Sequence, residues 1–248
     1  MWIWIKRFFA AVSGLVFILG VTLYWLYADV VISTPASEKI VSLTFDDGPH
    51  PQATQELLAL LSEKDVYATF FLKGRNVDAY PELVAKIDAL GHEIGNHSYY
   101  HKAMWSFDRA AMRAEVERTN RAISSVTGVA PKLFRPPYFA QGPGLKLALE
   151  ELGMLSVGAS ASGQDWEITD PELIASKVLA QVEPGGIVVL HDGHADIDDP
   201  AAQDSRSASV IATGIIIDNL RQQGYQFHTA GQLISQTNEP SPVAGSQP

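Results

Sequence analysis

Two adjacent carboxylates, Asp46 and Asp47, follow directly on the apolar run at 40–45 and precede Gly48-Pro49. Neighbouring carboxylates can take different jobs, one holding a metal ion and one moving a proton. A solvated turn is the plainer reading of the same residues. His97 and His101 stand four apart, a spacing that on a helical turn points both imidazoles the same way, as metal ligation requires. Two imidazoles and one carboxylate leave coordination positions open. Such a set suits zinc, or cobalt or nickel, in a hydrolytic site. His191 ends another apolar run, and Asp165 placed beside it as an orienting partner makes a proton shuttle of what is otherwise a packed histidine. Arg135 balances the acidic cluster, and His50, His92, His194 and His228 carry no functional reading. The chain has no cysteine, which excludes a thiolate nucleophile, a disulfide scaffold and Cys-ligated metal.

These residues need elements that bring them together. Candidate strands lie at 40–45, 66–72, 93–96, 132–135, 155–160, 186–190 and 225–228, several of them continuous Val, Ile, Leu and Phe, as in strands covered on both faces. Helical patterns lie between them. Residues 81–90 place Leu83, Ile87 and Leu90 on one face; 108–126 follows Ser106 as N-cap; 171–182 starts with Asp170 as cap and Pro171 at the first helical position, and stops at Pro184-Gly185-Gly186. Strand–helix alternation means an α/β fold of βα units around a parallel sheet, open or closed. In such a sheet all strand C-termini share one face. Asp46-Asp47, His97–His101, Arg135 with Pro136-Pro137-Tyr138, Asp165-Trp166 and His191-Asp192 each follow a strand, so they converge on one cleft.

The ends of the chain are of another kind. Residues 8–28 carry no formal charge and are long enough, at ~1.5 Å per residue, to span a bilayer as a helix. Lys6 and Arg7 precede them, and Tyr24, Trp25 and Tyr27 crowd the far end, which places the N-terminus in the cytoplasm and the rest of the chain outside it. Residues 1–28 are read as an uncleaved membrane anchor, with a signal peptide as the alternative that leaves a secreted domain. Residues 29–39 are read as a linker, 40–235 as a single catalytic domain and 236–248 as a disordered tail. Of the 248 residues, 18 are basic and 28 acidic, a net charge of −10 that disfavours nucleic acid as a partner. A monomer is expected.

Thr44-Phe45-Asp46-Asp47-Gly48-Pro49, His97-Ser98-x-x-His101, Arg135-Pro136-Pro137-Tyr138, Asp165-Trp166 and Val189-Leu190-His191-Asp192 resemble, in order and spacing, the five motifs of the polysaccharide deacetylase family. This is carbohydrate esterase family 4, the NodB homology domain, and the likeness spans about 40–235. The resemblance implies a distorted (β/α) barrel with fewer than eight strands, about seven here. It also implies a divalent-metal hydrolase that removes N- or O-acetyl groups from sugars, and the leading expectation is removal of acetyl groups from the N-acetylated sugars of a cell-envelope or extracellular polysaccharide. Carried over by position, Asp47, His97 and His101 hold the metal and Asp46 is the general base, oriented by Arg135. Asp165 tunes His191 as general acid, Tyr138 offers its backbone N–H to the oxyanion, and Trp166 and Leu190 wall a pocket for the acetyl methyl.

Three departures stand out. Phe139 replaces the glycine usual after the third motif, Ser162 stands where an earlier aspartate is common, and an acidic loop with Asp192, Asp196, Asp198, Asp199 and Asp204 follows His191, read as a solvated lid. Other functions compatible with these residues are removal of a formyl group or an O-acetyl ester, a non-haem iron oxygenase, and a non-catalytic glycan-binding module.

Overall fold

β1 (Ile40–Asp46) is buried at all seven positions and is the axis of the molecule. The computed structural model describes residues 12, 16, 19–22, 25–36, 38–106, 108–195 and 206–236. β1 alternates two environments, as a pleated strand must. Val41, Leu43 and Phe45 belong to a large apolar core with Leu57, Leu58, Leu61, Ile174, Val178 and Ile216 of the surrounding helices. Ile40 packs with a second cluster that includes Phe71, Ile187 and Leu233. Ser42, Thr44 and Asp46 share that second face and carry polar groups up the strand to its C-terminal end.

The sheet is wholly parallel, with the order β5-β4-β3-β2-β1-β7-β6 and β8 paired to β1. Its strands are β2 (Thr69–Leu72), β3 (Glu93–Asn96), β4 (Leu133–Phe134), β5 (Leu155–Ser156), β6 (Ala161–Ser162), β7 (Gly186–His191) and β8 (Gln226–Phe227). It curls into a half-barrel whose terminal strands, β5 and β6, are not paired with each other. One edge of β1 carries β7 along its length; β8 pairs residues Ile40 and Val41, and β2 pairs Thr44 to Asp46. Of the expected run at 155–160 only Leu155–Ser156 is strand, and β6 begins just beyond it at Ala161. Between them the carbonyls of Val157 and Gly158 accept from the buried Arg135 guanidinium, so they leave the ladder to satisfy a charge.

Helices α1 (Ala53–Glu63), α2 (Gly74–Ala79), α3 (Pro81–Ala89), α4 (Arg109–Thr127), α5 (Pro143–Leu152), α6 (Pro171–Leu179), α7 (Ser207–Gln222) and α8 (Ala230–Gln236) connect the strands. α4 is capped by Asp108, whose carboxylate accepts from the Ala111 N–H; Ser106, expected as the cap, accepts one step earlier from the Asp108 N–H. Asp170 caps α6 through the Leu173 N–H, as read from the sequence.

Residues 29–39, read as a linker, also pack on the domain. Val31 bridges Val157 and Ser33 bridges Gly186, so this stretch lies across the opening between β5 and β7. Among the described residues no helix is long and apolar enough to cross a membrane. Most of the 8–28 span lies outside the described residues, as do Asp196, Asp198, Asp199 and Asp204 of the acidic loop and residues 237–248 of the tail.

Candidate active site

Because every strand runs the same way, the residues after their C-termini meet on one rim. In the β1–β7 register Asp46 lies directly beside His191, and Thr44 beside Val189. The resulting cavity, about 410 Å³, is lined by Asp46, Asp47, His97, His101, Pro136, Tyr138, Phe139, Trp166, Val189, His191, Ala195 and Arg206.

One side of the cavity is a cluster of Asp47, His97 and His101, all buried, with one ligand atom from each lying within 4.8 Å of the others. The Nε2 atoms of His101 and His97 lie 3.2 and 3.7 Å from the same Asp47 oxygen, which has no hydrogen-bond partner. His97 Nδ1 lies 2.8 Å from the Arg135 carbonyl, a contact that fixes the ring and leaves Nε2 to face the cluster. Burial lowers the pKa of both imidazoles, His97 well below its ordinary value, so both are neutral at pH 7. Burial alone would raise the Asp47 carboxyl, but His101, His97 and Lys73 together hold it below its usual value. An orphaned carboxylate oxygen between two neutral imidazoles fits a divalent cation. The two histidines converge without a helical turn: the segment after β3 is a loop in which Ser98 and His101 have φ of 61° and 57°. Asp47, at φ 75°, turns its side chain out of the β1 line, and Asn76 holds its carbonyl at 2.8 Å.

The opposite side is built on Asp165. One carboxylate oxygen lies 2.8 Å from His191 Nδ1, and the other accepts from the His191 N–H at 2.8 Å and from Ser209 Oγ at 2.7 Å. Burial alone would lower the His191 pKa, but Asp165, with Asp47 and Asp46 adding to it, raises it to about 9. The indole of Trp166 stands edge-on to His191 at 5.5 Å and is half exposed.

Between the two sides sits Asp46. Fully buried Arg135 donates to its Oδ1 at 2.7 Å and spends its other donors on Thr44 Oγ1 and the Val157 and Gly158 carbonyls. The guanidinium also lies 4.1 Å from the Phe71 ring centroid. Tyr138 has φ 56° and places its ring edge-on to His101 at 4.7 Å, while the N–H groups of Phe139 and Ala140 turn back to Pro136 and Pro137.

Nine of the ten residues singled out in the sequence are thus gathered here or bonded to those that are. Leu190 is not: it is fully buried in the outer core, and Val189 lines the cavity in its place. The reason is the two-residue period of a strand, which puts 189 and 191 on one face and 190 on the other. Asp192, read as part of a solvated lid, is 1% exposed and accepts from Thr54 Oγ1 at 2.6 Å. Burial, reinforced by Asp47 and Asp46, raises its pKa to about 7. Gly48 makes room for it, since a Cβ there would fall 2.3 Å from its oxygen.

Four supporting residues carried no sequence signal. Ser209 holds Asp165, and Arg206 bonds the Asp165 and Gly193 carbonyls at 2.9 Å. Asn76 holds Asp47, and buried Lys73 donates to the His194 and Ala195 carbonyls. Each acts through a partner distant in sequence.

Fold and site together define a parallel α/β protein with a buried Asp–His–His cluster, suited to a divalent metal, facing a charged His–Asp pair. A family model described as polysaccharide deacetylase matches residues 33–157. The chain is 36% identical over 196 residues to a chitooligosaccharide deacetylase of Bradyrhizobium sp. (strain ANU 289), covering 78% of this chain and 90% of that one. It is 33% identical over 212 residues to a peptidoglycan-N-acetylglucosamine deacetylase of Bacillus cereus, with 84% and 72% covered. The crystal structure of the Bc1960 peptidoglycan N-acetylglucosamine deacetylase superposes with a TM-score of 0.76 at 31% identity, over 86% of this chain and 96% of that chain. The chain belongs to the polysaccharide deacetylase family, carbohydrate esterase family 4 with the NodB homology domain.

Proposed function

We propose that this protein is a metal-dependent hydrolase that removes acetyl groups from N-acetylated sugars of a cell-envelope or extracellular polysaccharide. The observation that carries the reading is the placement of Asp46 between the Asp47–His97–His101 cluster and the His191–Asp165 pair, in one cavity.

Asp47, His97 and His101 would hold the ion, zinc by their chemistry, with cobalt or nickel as substitutes. When bound, such an ion supplies Lewis acidity to the acetyl carbonyl and acidity to water. Asp46 is the general base: Arg135 fixes its Oδ1 and leaves Oδ2 facing the cluster, 3.9 Å from His97 Nε2. His191 is the general acid. With a pKa of about 9 it starts as imidazolium at neutral pH, the form that has a proton to give to the leaving nitrogen. Water adds to the carbonyl as Asp46 takes its proton, the C–N bond breaks as His191 protonates the nitrogen, and the products are acetate and the free amine. A positioned acid or base contributes ~10²–10⁴-fold. The Tyr138 N–H is assigned to the developing oxyanion, where one such donor contributes roughly 10²–10³-fold. Trp166 and Val189 wall the acetyl methyl.

The catalytic domain lies outside the cytoplasm in this reading, and residues 8–28 are its anchor. The support is the uncharged span itself, with Lys6 and Arg7 before it and Trp25 and Tyr27 at its far end. Acetate release from N-acetylglucosamine oligomers by the wild type, Asp46→Asn and His191→Ala tests the assignment. Both variants should lose activity while binding metal as the wild type does; full activity in either removes that residue from the mechanism.

A further inference from the structure

The turn that carries Tyr138 is strained. Tyr138 has φ 56° and Phe139 has φ 52°. The left-handed region is disfavoured for any residue with a Cβ, and a bulky side chain there is a genuine outlier. Such a conformation persists only where the surroundings over-determine it. Two bonds lie within the turn, from the Phe139 N–H to the Pro136 carbonyl and from the Ala140 N–H to the Pro137 carbonyl, each 2.9 Å. They close the turn on itself and leave its hold on the rest of the fold to a neighbour.

That neighbour is Gln141, which is 2% exposed. Its side-chain Nε2 donates to the Leu26 carbonyl at 2.6 Å, and its Oε1 accepts from Ser156 Oγ at 2.7 Å. Its backbone bridges Met104 on the loop after His101, and the following N–H, of Gly142, donates to the Met104 carbonyl at 2.8 Å. One residue thus joins the segment before β1, the end of β5 and the loop of a metal-cluster histidine.

The groups that Gln141 grips are themselves fixed. Leu26 and Tyr27 end a helical stretch, where backbone carbonyls lack intrahelical partners, and Gln141 satisfies one of them. Val31 donates its N–H to the Ser156 carbonyl at 2.9 Å and accepts from the Gly158 N–H at 2.8 Å, which ties the same segment to β5. Tyr27 Oη adds a contact of 3.5 Å to the Phe139 carbonyl. Leu26 and Ser156 are buried, so loss of the Gln141 amide leaves a buried carbonyl and a buried hydroxyl without it.

We propose that Gln141 is a positioning residue for catalysis: it holds the Tyr138–Ala140 turn in its left-handed form, and with it the N–H that Tyr138 offers to the oxyanion. Leu26 and Tyr27, grouped with the uncharged span by sequence, thereby act as part of the catalytic domain. The inference rests on the deacetylase reading and adds to it a residue outside the five motifs. A contact to the oxyanion is made in the transition state and not with bound substrate, so a loosened turn lowers kcat and spares KM.

The test uses the zinc-loaded full chain and the N-acetylglucosamine tetramer. Gln141→Met keeps the volume and removes both side-chain bonds, and Ser156→Ala removes one of them as a milder change. Both are also made in a Phe139→Gly background, and thermal melts report folding; should Gln141→Met fail to fold, the Ser156→Ala pair carries the test. In Gln141→Met kcat should fall about 10- to 100-fold, part of what one oxyanion donor contributes, with KM within about twofold of the wild type. Ser156→Ala should lose less. Glycine takes a positive φ without the Cβ penalty, so the loss should shrink several-fold in the Phe139→Gly background, whereas independent structural effects would multiply. Amide hydrogen exchange reads the turn without activity: protection of the Phe139 and Ala140 N–H groups should fall about tenfold in Gln141→Met. Unchanged protection, unchanged kcat despite lost protection, or losses that multiply in the double variant overturns the proposal. A wild type that releases no acetate overturns the deacetylase reading, and the exchange data then decide whether Gln141 holds the turn.

Discussion

Replacing Asp165 by Asn should convert His191 from an acid that is charged at neutral pH into one that is not. In the wild type the imidazole lies 2.8 Å from the carboxylate and has a pKa of about 9, although burial pulls it the other way. Asparagine keeps the shape and one acceptor but removes the charge, leaving burial opposed only by the weaker pull of the Asp47 and Asp46 charges. A fall from about 9 to the ordinary 6.5 is worth ~3.4 kcal/mol of differential interaction. At pH 7.5 it takes the imidazolium from nearly all molecules to about a tenth of them. The alkaline limb of the kcat/KM profile should move from near pH 9 to about 6.5 or lower, and an NMR titration of the His191 ring should follow it. Stability shifts with the same sign. A histidine whose folded pKa exceeds its unfolded value stabilises fully below about 6.5 and loses that contribution as pH rises through about 9, so the wild type should weaken over this window and Asp165→Asn should not. An alkaline limb still near 9 in the variant would refute the reasoning, because the carboxylate would then not be what charges the ring.

Val189→Ala should enlarge the acyl pocket and raise relative activity on propionyl over acetyl substrates, whereas Leu190→Ala should cost about 2–5 kcal/mol of stability in denaturant melts without changing acyl preference. His97→Ala or His101→Ala should lower zinc affinity by orders of magnitude in chelator competition, because two ligands are left where three held the ion. Asp192→Asn should stabilise the metal-free protein. The folded state holds a proton up to about pH 7 that the unfolded carboxyl releases near 3.8, so wild-type stability falls as pH rises through that window. The variant's advantage should grow from pH 4 to 7, to at most about 4 kcal/mol, and equal melts across that range would contradict the buried placement of Asp192.

The strand ends were legible in the sequence because each apolar run stops at a residue that chemistry can use. Asp46, Arg135 and His191 close β1, follow β4 and close β7, respectively. What escaped has local physical causes. The break between β5 and β6 follows from carbonyls claimed by Arg135, a partner more than 20 residues away. Leu190 and Val189 are equally apolar, and it is the two-residue period of β7, counted back from His191, that turns Val189 to the cavity and Leu190 to the outer core. Asp192 reads as one more carboxylate in an acidic stretch; its burial depends on the space above Gly48 and on Thr54 at the start of α1. The His97–His101 spacing suggested a helical turn, but two left-handed residues bring the rings to 5.0 Å between centroids by another route.

Acetate release from the N-acetylglucosamine tetramer by the full chain, measured as isolated, after chelation and after zinc is restored, is the most direct test of the central claim. Release that is lost with the metal and recovered with one equivalent of zinc is the predicted result. Release indifferent to chelation, or none with zinc bound at Asp47, His97 and His101, would contradict it.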